Sequence, residues 1–101
     1  MNIDEFENVC KYLDEYGVLL TDKQYSIMTD YYFNNLSLSE IGINLGISRQ
    51  AVASAIKQSM AQLHEYDKQL NLINKHGAIL SLLRDNKILY SSVLDILKGD
   101  N

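Results

Sequence analysis

Apolar residues return every three or four positions along nearly the whole chain, the spacing that gathers them on one face of an α-helix rather than on alternate sides of a strand. Ile3, Phe6, Cys10, Leu13 and Gly17, with Val9 beside them, mark a first helix from about Ile3 to Tyr16. Gly17 is its expected stop, because glycine enters the left-handed conformation that closes a helix without the penalty a side chain incurs. Thr21-Asp22-Lys23-Gln24 reads as a capping box, in which the Thr and Gln side chains each satisfy an orphan backbone N–H. The helix it opens carries Ile27, Met28, Tyr31 and Tyr32 to about Phe33, where Asn34-Asn35 breaks it. A second capping box, Ser37-Leu38-Ser39-Glu40, opens a third and shorter helix ending near Leu45.

From Ser48, an N-cap residue, neither Pro nor Gly occurs until Gly77, so the pattern predicts one long helix over about 48–76. Its apolar series resembles a coiled-coil seam in the second half, which makes Leu63, Tyr66, Leu70 and Ile73 the expected interface of a homodimer. The C-terminal helical segment, 78–98, carries a further apolar face with a break at Arg84-Asp85-Asn86-Lys87. Either this segment or a second subunit would cover the seam. The expected fold class is all-α, and without linker, repeat or low-complexity tract residues 1–101 read as a single domain.

Residues 37–57, SLSEIGINLGISRQAVASAIK, meet the demands of a helix-turn-helix, in which two helices cross steeply over a tight turn and need a small residue at their closest approach. Ile41 and Leu45 should face inward from the first helix, with Gly42 as the small residue, Gly46 in the turn and Ile47 at the junction. Val52, Ala55 and Ile56 should face inward from the second. Gly42 stands where alanine is more usual, at a cost in helix propensity of about 1 kcal/mol. The outward face of the second helix, the one that enters the DNA major groove in proteins of this type, is left with Ser48, Arg49, Gln50, Ala53, Ser54 and Lys57. Arg pairs with guanine and Gln with adenine, while Ser hydroxyls and helix N-terminal amides hold phosphates.

Composition limits that face. The 101 residues carry a net charge of −4, with nine basic and thirteen acidic side chains, but the acidity is uneven. Residues 1–36 sum to −5, residues 37–76 to +1 and the remainder to zero. Specific duplex binders make about 6 to 10 phosphate contacts, whereas this face offers Arg49 and Lys57, and a dimer would only double that. A helix-turn-helix used as a scaffold or protein-binding surface therefore stands beside the DNA reading.

The segment LLTDKQYSIMTDYYFNNLSLSEIGINLGISRQAV, Leu19 to Val52, resembles the YlxM-like family of small bacterial helix-turn-helix proteins, and AIKQSMAQLHEYDKQLNL, Ala55 to Leu72, is similar to that family's long helix. The resemblance implies an all-helical protein with a DNA-reading helix like that of sigma-factor region 4. It also implies an accessory or regulatory part in the signal recognition particle pathway. The partners so implied are nucleic acid, either duplex DNA or signal recognition particle RNA, and the particle's GTPase. The family pattern usually has Tyr in place of Ala53 and a basic residue in place of Gln58, so the contact face is thinner here.

No catalytic, metal or cofactor site is expected. Cys10 falls on the apolar stripe of the first helix and is expected to be a buried core thiol. His64 and His76 lie more than three helical turns apart, too far to share one metal, and read as solvated. Glu65, Asp67 and Lys68 read as a solvated rim. Tyr31, Tyr32 and Phe33 invite a base-stacking reading, but no basic residue lies within seven positions of them, so core packing is expected for Tyr31 and a neighbour. A single cysteine, an acidic start and apolar runs no longer than three residues predict a cytoplasmic protein with no membrane span.

Overall fold

A computed structural model describes residues 2–99, and every regular element among them is helical. The α-helices are α1 (Ile3–Tyr16), α2 (Asp22–Tyr32), α3 (Leu38–Leu45), α4 (Arg49–Leu70), α5 (Leu72–Leu83) and α6 (Lys87–Lys98), with one 3₁₀ turn at Gly17–Leu19. The chain divides after Leu70 into two compact units.

In the first unit the helix starts are fixed by local side-chain chemistry. Thr21 Oγ1 accepts from the Gln24 amide at 3.1 Å while Gln24 Oε1 accepts from the Thr21 amide at 3.0 Å, and Ser37 and Glu40 repeat the exchange at 3.0 and 3.1 Å. Asn2 caps α1 by accepting from the Glu5 amide at 2.7 Å. Against this frame α4 acts as the central strut, packing on α1, α2 and α3. Ile27, Ile41 and Val52 form a buried cluster beneath Tyr31, Leu36, Leu38, Ile47, Ala55 and Ile56. Val9, Leu13, Tyr16, Leu20, Met28 and Leu63 are also buried. The Tyr16 hydroxyl donates to Asp67 Oδ1 at 2.7 Å, tying α1 to the last turns of α4, and Gln24 Nε2 donates to Gln62 Oε1 at 3.0 Å.

Several expectations change. The buried stripe of α1 is Val9, Leu13 and Tyr16, while Ile3 and Phe6 are exposed and Cys10 is half-buried, because the first turns of α1 are covered on one side only, Phe6 by the Phe33 ring. Gly17 is right-handed, with φ −57°, and starts the 3₁₀ turn. A Cβ there would come within 2.8 Å of the Tyr25 ring, so glycine answers a close approach rather than a left-handed cap. Leu45, expected inward, is 39% exposed: α3 ends there, and Ile47 takes the place at the junction. Asp67, expected on a solvated rim, is half-buried under the Tyr16 hydroxyl.

The expected long helix over 48–76 is interrupted. Asn71 adopts the left-handed conformation, with φ 52° and ψ 36°, which Asn tolerates better than other non-glycine residues. Its side-chain oxygen accepts from Asn74 Nδ2 at 2.9 Å and its carbonyl from the Lys75 amide at 3.2 Å, so a new helix begins. The contacts group the residues after Leu70 as a second compact unit, an α5–α6 hairpin whose connection falls at the expected break. Asn86 caps α6 through the Leu89 amide at 3.1 Å, and Gly99 closes it in the left-handed conformation. No residue of either helix is fully buried.

Candidate nucleic-acid interface

The helix-turn-helix is built by α3, Gly46 to Ser48, and the first half of α4. Gly46 is left-handed, with φ 69°, and its amide closes α3 by donating to Gly42 and Ile43 carbonyls. The Ile47 amide donates to the Gly42 carbonyl at 2.9 Å, and a Cβ on Gly42 would come within 2.7 Å of the Ile47 carbonyl oxygen. Gly42 is therefore the closest-approach residue of the turn, set against backbone that cannot swing aside.

That turn presents the start of α4. Ser48 Oγ accepts from the Ala51 amide at 3.0 Å, so its hydroxyl serves first as the N-cap. Arg49, Gln50, Ser54 and Lys57 are exposed, whereas Ala53 is half-buried. The six expected site residues thus sort into a cap, four solvent-facing polar groups and one small residue at the wall of a cleft.

The cleft, of about 410 Å³, was beyond sequence reasoning. It gathers Glu5 of α1, Tyr31 and Tyr32 of α2, and Ala53, Lys57 and Met60 of α4. Tyr31 and Tyr32 meet edge to face, with ring centroids 5.0 Å apart and planes at 89°. Burial pushes the Tyr32 phenol above its ordinary range, helped by the negative charge of Glu5 and by Tyr31. No local signal foretells this grouping, because its members come from three separate helices spread over positions 5–60. A second cleft, of about 540 Å³, is bordered by Asp14, Asp22 and Tyr25 and has no cation on its walls.

The remaining candidates disperse. Tyr31 packs on the core as expected and Tyr32 is half-buried, but Phe33 is exposed and meets Phe6 edge to face at 5.7 Å. His64 is exposed and stands edge to face against Tyr12 at 4.8 Å, while His76 belongs to α5. Among the described residues no three His, Cys, Asp or Glu converge as metal ligands. Of the expected dimer seam, Leu63 is wholly buried within its own chain and so is a core residue; Tyr66 is half-buried, Leu70 exposed, and Ile73 lies beyond the break at Asn71. No helix among the described residues is long and apolar enough to cross a membrane.

These features define an all-α protein built on a helix-turn-helix. Residues 4–96 match the family described as "Putative helix-turn-helix protein, YlxM / p13 like", and the chain belongs to that family. It is 44% identical over 80 residues to a UPF0122 protein of Malacoplasma penetrans, covering 76% of this chain and 75% of the relative. A UPF0122 protein of Caldanaerobacter subterraneus is 40% identical over 84 residues, covering 83% and 72%. One from Clostridium perfringens is 49% identical over 63 residues, covering 62% of this chain and 56% of the relative, so this chain aligns with little more than half of that protein's length. No solved structure matches the chain.

Proposed function

We propose that this chain is a cytoplasmic accessory protein of the signal recognition particle pathway, acting by binding rather than by catalysis, through its helix-turn-helix. The observation that carries the nucleic-acid part is the polar face at the start of α4, where Arg49, Gln50, Ser54 and Lys57 are all exposed. The resemblance to the YlxM-like family supports the pathway. Two cations per chain fall well short of the about 6 to 10 phosphate contacts of a specific duplex binder, which favours the particle's RNA or GTPase over free duplex DNA. The second reading is a transcription regulator that reads duplex DNA. It is favoured by Arg49 and Gln50 standing in the first turn of α4, where base-reading residues sit in this motif.

The test is a parallel titration at physiological salt against signal recognition particle RNA with its GTPase and against random duplex DNA. Saturable binding to the particle components alone supports the accessory role. Selective enrichment of one DNA sequence supports the regulator, and Arg49→Ala should then relax base preference while Lys57→Ala weakens all duplexes alike. Self-association is proposed alongside, through the exposed apolar positions of α5 and α6. A sedimentation mass held at 11.5 kDa up to high micromolar concentration would remove it.

A further inference from the structure

Tyr31 and Tyr32 have no basic residue near them in sequence, and this argues against base stacking until the helices are packed. The fold supplies the missing cation from α4: Lys57 lines the same cleft as the two rings. Tyr31 is seated on the core and meets Tyr32 edge to face, so the second ring is held in place before any ligand arrives. Glu5 faces the same cleft from the first turn of α1. An aromatic platform, a cation and a carboxylate acceptor are thus gathered around about 410 Å³ that opens beside the outward face of α4.

We infer that this cleft receives one unstacked base of a single strand running along α4, with the base against Tyr32, its phosphate on Lys57 and its amino edge donating to Glu5. The chemistry selects the occupant. Bases splayed from a single strand are held by stacking on aromatic rings and read on their pairing edges. A carboxylate accepts from the exocyclic amine of cytosine, whereas uracil presents a carbonyl there and meets repulsion. The phenol of Tyr32, held protonated by burial and by Glu5, adds no negative charge at neutral pH. A fully paired duplex offers no free base, so the cleft separates single-stranded or looped nucleic acid from duplex. The inference rests on the nucleic-acid reading of α4 and adds to it a base pocket with a stated preference.

The experiment titrates the full chain into fluorescein-labelled 12-residue oligoribocytidylate and oligoribouridylate, with a mixed-sequence duplex as a third arm. The cytidine strand should bind about tenfold more tightly than the uridine strand, and both more tightly than the duplex. Glu5→Gln should collapse the cytidine preference. Lys57→Gln should weaken both strands alike, and Tyr32→Leu should weaken both by about fivefold to a hundredfold. Tyr32→Phe, which keeps the ring, should restore binding and so separate stacking from a folding defect. Equal binding of the two strands by the unmodified protein, or a preference that survives Glu5→Gln, overturns the base pocket while leaving α4 as a nucleic-acid surface. Absence of binding in all three arms overturns the pocket together with the nucleic-acid reading.

Discussion

The two units carry similar densities of apolar residues at similar helical spacing, yet one has a core and the described residues of the other bury none. Residues up to Leu70 bury Val9, Leu13, Tyr16, Ile27, Met28, Ile41, Val52 and Leu63, whereas Ile79, Leu82, Ile88, Leu89 and Ile96 of the α5–α6 hairpin are all exposed. The difference is one of enclosure. Three helices wrapped on α4 surround a volume, and each inward side chain is covered from several directions. Two helices side by side share a seam with no interior, so their amphipathic pattern yields helices without yielding a core. A capped, periodic sequence is sufficient for the first outcome only when the topology brings a third layer.

The largest test of this contrast is truncation of one leucine in each unit. Leu63→Ala should cost about 2–5 kcal/mol of unfolding free energy by leaving a cavity, while Leu82→Ala, at a position 87% exposed, should fall within about 0.5 kcal/mol of the unmodified protein. Denaturant titration reads both. A cost at Leu82 that grows with protein concentration would show that a second chain supplies the missing layer.

Identical substitutions of opposite sign sharpen the contrast further. Gly42→Ala drives a Cβ to 2.7 Å from backbone and should destabilise by about 1–3 kcal/mol, whereas Gly77→Ala meets open space in α5 and should stabilise by up to about 1 kcal/mol. Midpoints of thermal unfolding should move in opposite directions. Within the first unit, Tyr16→Phe leaves the Asp67 carboxylate without its 2.7 Å donor and should cost about 1–2 kcal/mol by chemical denaturation.

The smallest effect is pH-dependent and also belongs to the first unit. The phenol of Tyr32 is raised in the folded state, so the fold favours the protonated form. Its contribution is complete below the unfolded value near 10 and declines as pH rises through the folded value, so stability should fall above about pH 10. Tyr32→Phe should flatten that part of the profile.

Wherever a signal lies within one turn of chain, the sequence carries it. Thr21 with Gln24, Ser37 with Glu40, Gly42, Gly46 and the exposed set Arg49, Gln50, Ser54 and Lys57 follow from local capping, close approach and helical geometry. The same logic identifies the family, because the helix-turn-helix is almost wholly local. It misplaces what depends on a neighbour: Gly17 answers the Tyr25 ring, Leu45 loses its cover where α3 ends, and Asp67 meets Tyr16 across the length of the first unit. Asn71 is intermediate, since its left-handed tolerance is a local property but only the settled helix ends make use of it. The cleft is the clearest case of tertiary decision. Glu5, Tyr32 and Lys57 are unremarkable in sequence, each on its own helix, and become one site only because α1 and α2 pack on the same length of α4. Helices here are set by hydrogen bonds and caps spanning three or four residues, whereas the site is set by which helix faces compete to be buried, and that competition exists only in the folded chain.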